Sequence, residues 1–121
     1  MIMVQSTFQL HPESRDEALG LMKNMVRLCR QEHGCLGYEY FAGITNPNQV
    51  VLLQEWENAD SLEEHYQTAH MEDFLNKLGQ FLSSPVSTRS YVAQEEHAGS
   101  GKVGKQKQLS DELAKPEQTI H

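Results

Sequence analysis

An α+β fold ordered strand, helix, strand, strand, helix, strand is predicted by three features of the 121-residue chain. Four short runs alternate apolar with polar residues or are rich in β-branched and aromatic types. Two longer runs repeat apolar residues at intervals of three and four, the period of a helix with one buried face. Pro, Gly and Asn punctuate the gaps between them. The expected result is a ferredoxin-like, four-stranded antiparallel sheet with its helices on one side.

Residues 2–10 place Ile2, Val4, Ser6, Phe8 and Leu10 on one side and read as a strand half facing a core. His11 and Pro12 end it. Ser14 followed by Glu17 has the form of a capping box, opening a helix predicted over residues 15–32. Ala18, Met22, Met25 and Cys29 form its buried line, with Leu19, Val26 and Leu28 beside it. Helix-spaced methionines read as core packing. Gly34 stops the helix in a left-handed conformation that glycine adopts at little cost.

Residues 36–42 alternate again, with Leu36, Tyr38, Tyr40 and Ala42 on one face. Asn46, Pro47 and Asn48 supply a turn that pairs this strand with the run at residues 49–56, where Val50, Val51, Leu52, Leu53 and Trp56 form a buried strand. Asn58 caps a first helical piece and Thr68 a second, with Leu62, Tyr66 and Ala69 as one inward stripe and His65 beside it. Phe74, Leu78, Phe81 and Leu82 carry the second piece to residue 83 or 84, Pro85 breaks it, and residues 86–93 make the last strand.

Length predicts one domain, residues 1–95. From residue 96 the composition turns polar, with three of the eight glycines and no aromatic residue. This reads as a C-terminal extension, mobile or docked on a partner. The net charge of −7, from 17 acidic and 10 basic residues, disfavours nucleic acid and anionic membranes as partners. No apolar run approaches the roughly 18 residues needed to span a bilayer, and no signal-peptide pattern opens the chain, so it is expected to be cytoplasmic. Cys29 and Cys35 are six apart, which is neither a metal nor a redox spacing, and read as buried reduced thiols. Gly-rich phosphate loops and the G-x-S-x-G elbow are absent, which argues against nucleotide and hydrolase chemistry.

Two stretches carry a family resemblance: EHGCLGYEYF at residues 32–41 and LLQEWENADSLEEHYQTAHMEDF at residues 52–74. The spacing of Trp56, His65, Thr68, His70 and Phe74 is its most specific part. Together they resemble the antibiotic biosynthesis monooxygenase family of dimeric α+β barrels. The resemblance implies a homodimer whose two sheets pack face to face, each protomer keeping a pocket between sheet and helices. It also implies oxidation of a small quinol or related electron-rich aromatic by molecular oxygen, with no cofactor. The alternative is a small-ligand-binding or interaction module, or an enzyme acting on a small carbonyl signal molecule, because fold does not fix function.

Such chemistry needs an apolar slot, a proton acceptor and donors that hold an anion. Trp56, Tyr38 and Tyr40, with Phe8 and Phe74, are the aromatic candidates, and Tyr66 joins them as a substrate contact. His65 and His70 are the candidates for proton transfer, since imidazole titrates near pH 6.5. Gln54 and Asn58 are candidates to orient an oxygen atom, and Arg89 to hold an oxyanion. Many relatives carry an acid where this chain has Gln54. No metal site is expected, because two histidines five apart diverge on one continuous helix and converge only if it breaks at Thr68. Haem cleavage is disfavoured, since similar haem degraders hold iron with a histidine where this chain has Leu75.

Overall fold

The computed structural model describes residues 1–94, so the extension expected from residue 96 lies outside the described residues. Strands β1 (Ile2–Gln9), β2 (Cys35–Ala42), β3 (Gln49–Trp56) and β4 (Ser87–Val92) and helices α1 (Arg15–Cys29), α2 (Ala59–Tyr66) and α3 (Ala69–Leu78) follow in the order β1-α1-β2-β3-α2-α3-β4. The sheet order is β2-β3-β1-β4, and every neighbouring pair is antiparallel. This is the ferredoxin-like α+β arrangement. Among the described residues no helix is long and apolar enough to cross a membrane.

Register decides what faces the helices. Val4 pairs with Gln54 and Ser90, Ser6 with Leu52 and Thr88, and Tyr38 with Gln54. Directly paired residues share a face, so Val4, Ser6, Phe8, Tyr38, Leu52, Gln54, Trp56 and Thr88 form one inner surface, and all are buried. Met22, Met25 and Cys29 of α1 and Phe74 and Leu78 of α3 close the core over it. The opposite face carries Gln5 paired with Leu53 and Arg89, and Phe41 paired with Val51. Phe41 is 54% exposed there.

Several local expectations are corrected. Ser14 makes no capping hydrogen bond, because a single 3-10 turn at Pro12–Ser14 precedes α1 and alters the backbone geometry that a capping box requires. The helix ends at Cys29, and its last residues continue as turns that bring Glu32 inward. A bulge between Cys35 and Gly37 leaves Leu36 exposed, so it does not share the face of Tyr38. In α2 the buried line is Ser61 and His65, whereas Tyr66 stands partly outside.

That rotation of α2 follows from Gly34. Its φ is +80°, and a Cβ there would fall onto Ser61 Oγ. The turn after α1 thus presses bare backbone against α2 and holds Ser61, and one turn later His65, inside. Gly34→Ala is expected to destabilise the fold by at least about 2 kcal/mol, from left-handed strain plus the clash. Urea unfolding midpoints check it, and a Ser61→Gly background should return the clash component while leaving the strain.

Candidate active site

The helical segment after β3 is broken at Thr68. Its hydroxyl donates to the His65 carbonyl at 2.8 Å and accepts from the Met71 amide at 3.3 Å, ending α2 and capping α3 with one side chain. On a straight helix residues five apart point about 140° away from each other. The break removes that divergence, and His65 and His70 both meet Glu32. His65 Nδ1 stands 3.0 Å and His70 Nε2 2.6 Å from Glu32 Oε2.

An ionised carboxylate only accepts hydrogen bonds, so both imidazole nitrogens facing it carry their protons. In neutral His65 this leaves Nε2 as a bare acceptor. Nε2 is buried and has no hydrogen-bond partner among the described residues. Burial lowers the pKa of His65 and outweighs the opposing pull of Glu32, so the ring is held in its neutral, proton-accepting form. Three aromatic rings enclose it, with centroids at 4.7 Å for Trp56, 5.4 Å for Tyr66 and 5.8 Å for Tyr38.

Trp56 is completely buried, and its indole Nε1 donates to Gln54 Oε1 at 2.9 Å. Because indole N–H is a donor only, it fixes which end of the Gln54 amide is oxygen, and the NH2 group must donate elsewhere. Gln54 forms part of the wall of a cavity of about 180 Å³, together with Ser6, Phe8, Tyr38, Tyr66 and Phe74. Leu52, Met71, Leu75, Leu78, Val86 and Thr88 complete it. An apolar cavity of ~150 Å³ takes up benzene, so this one suits a single substituted ring. Burial also raises the pKa of the Tyr38 hydroxyl far above its ordinary value, keeping it a neutral donor.

The structure thus brings Tyr38, Gln54, Tyr66 and Phe74 to one hollow. Trp56 and His65 stand in contact behind that wall and do not line it. His70 is partly exposed on the far side of Glu32. Tyr40 contributes to a second cavity, beside α1, with Arg15, Met22 and Lys23. Asn58 is exposed and its Oδ1 accepts from the Ser61 amide, which engages it as a cap. Arg89 lies on the opposite sheet face, away from the hollow. Sequence reading missed Glu32 and Cys29, although Glu32 opens one of the two stretches that carry the resemblance. Ser6 and Thr88, hydrogen-bonded to each other at 2.9 Å, were also missed as wall residues.

The model of the antibiotic biosynthesis monooxygenase family matches residues 1–77. The chain belongs to that family. YcnE of Bacillus subtilis, which carries a provisional monooxygenase name, is 31% identical over 86 residues, covering 71% of this chain and 90% of YcnE. An uncharacterized protein of Synechocystis sp. is 26% identical over 94 residues, covering 78% of this chain. This chain spans 64% of that protein's length. Among solved structures, a conserved protein from Methanosarcina mazei superposes with a TM-score of 0.74 at 26% identity, covering 77% of this chain and 92% of that one. Family and relative together support a general monooxygenase-like function for this antibiotic biosynthesis monooxygenase family member.

Proposed function

We propose that this family member is a cofactor-independent monooxygenase for a small quinol or related electron-rich aromatic. The observation that carries the reading is the orphaned Nε2 of His65, a dry acceptor oriented by Glu32 and packed against two rings of the cavity wall. The substrate ring occupies the cavity, and its hydroxyl proton reaches His65 Nε2, which stands behind the Tyr38 and Tyr66 rings, once those wall side chains shift to admit the hydroxyl or one water. The Gln54 NH2 group, aimed by Trp56, holds the resulting oxyanion. A phenolate so held is electron-rich enough to give one electron to oxygen. Recombination of the two radicals forms a carbon–oxygen bond, and loss of water leaves the oxidised ring. One oxygen atom enters the product, the other leaves as water, and the substrate supplies every electron.

Oxygen uptake with a panel of reduced quinones, measured with a chelator and without added flavin, is expected to exceed the autoxidation blank. His65→Ala should lower kcat by about a hundredfold or more, and Trp56→Phe should lower it less while leaving binding of the oxidised quinone near normal. Uptake equal to the blank, with aromatics still bound, would instead identify a binding module.

The same reading includes a cytoplasmic homodimer. Cys29 and Cys35 are free thiols, which suits a reducing compartment. Phe41, Val51 and Leu53 give the outer sheet face an apolar surface that helices do not cover. Sedimentation at micromolar concentration is expected to give twice the 13.8 kDa chain mass, with Phe41→Glu shifting it towards monomer. A monomeric wild type refutes the dimer.

A further inference from the structure

We infer that Cys29, Glu32, His65 and His70 form a binding site for one divalent ion of the zinc class. One donor atom from each residue lies within 4.8 Å of the other three. The carboxylate-to-imidazole separations are 2.6 and 3.0 Å. Four ligands around zinc stand about 3.3–3.7 Å apart, given bonds of about 2.0–2.3 Å. The two carboxylate-to-imidazole edges are shorter than that and need to open by about an ångström or less, while the remaining separations stay within 4.8 Å.

The donors also select the ion. One thiol, two imidazoles and one carboxylate are the borderline-soft mixture that zinc prefers, whereas calcium and magnesium require more oxygen ligands. Thiolate and carboxylate together balance the two positive charges, so the filled site is neutral, which matters where two of the four side chains are wholly buried. Entry is from the His70 side, the most open edge, where that side chain is 24% exposed. The Cys29 thiol, which has no part in the proposed oxidation, finds its use here.

Zinc on His65 Nδ1 displaces the proton from that atom, and the neutral ring then carries it on Nε2. The acceptor becomes a donor. An occupied site therefore silences proton abstraction by His65. This consequence rests on the proposed oxygenase reading, while ion binding does not.

The test uses the full 121-residue chain, stripped with a chelator. It is titrated with Zn2+ against a chromogenic competitor and with Co2+ by visible and near-ultraviolet absorption. One ion per chain and a tetrahedral cobalt spectrum with a thiolate-to-cobalt charge-transfer band are expected. Cys29→Ser should lose that band, and Glu32→Gln should weaken zinc binding by at least about tenfold. Circular dichroism confirms that the variants fold, and the wild-type cobalt spectrum decides the matter should they not. Absence of saturable binding, a cobalt spectrum without the charge-transfer band, or binding unchanged in both variants overturns the site. Oxygen uptake is read separately. Zinc at saturation should abolish it, uptake that persists overturns the silencing, and inactivity of the zinc-free protein in chelator, when the separate titration shows zinc binding, refutes the oxygenase and leaves the site standing.

Discussion

The Glu32 carboxylate is the constraint on which the rest of the site depends. A largely buried carboxylate is costly unless its oxygens are met by donors, and here two imidazoles meet them. Those donors come from two different helices, and the carboxylate itself from the turn beyond a third. Satisfying one charge therefore fixes where three helices meet. Gly34 is needed to let that turn pack on α2, and Thr68 is needed to turn His70 back towards His65.

From this constraint follows a division of labour within the hollow. Polar atoms are few, and each has an assigned direction: Trp56 sets Gln54, Glu32 sets His65, and Ser6 and Thr88 satisfy each other. Among the described residues, His65 Nε2 has no hydrogen-bond partner, and the Gln54 NH2 group points away from the bond that holds its oxygen. In surroundings dominated by hydrocarbon, two such groups act more strongly than they would in water. Trp56 accordingly fixes the Gln54 amide and packs as a plate against His65, without lining the cavity itself.

The two faces of the sheet are unequal for a simple reason. Strand residues alternate, so a run such as β3, apolar at successive positions, must present hydrocarbon on both sides. Helices cover the inner side and create the cavity. On the outer side Val51 and Leu53 remain half-covered beside an exposed Phe41, and Arg89 belongs to that side because its register with Gln5 allows nothing else.

How much of this was legible in the chain differs between fold and site. Periods of two and of three to four, Gly34, and the caps at Asn58 and Thr68 determined the element order and the α+β class, because these are local signals that need no distant partner. The spacing of Trp56, His65, Thr68, His70 and Phe74 marked the right neighbourhood. Glu32 and Cys29 were invisible as partners of His65, since nothing in residues 29–32 states that a helix more than thirty positions away will stand over them. Parity along a strand placed Tyr38 and Gln54 on the inner face, yet only packing decided that Trp56 lies behind the wall and Tyr40 beside a different cavity. Local chemistry writes secondary structure into sequence. The meeting of a carboxylate with two imidazoles is a long-range event, and tertiary structure alone decides it.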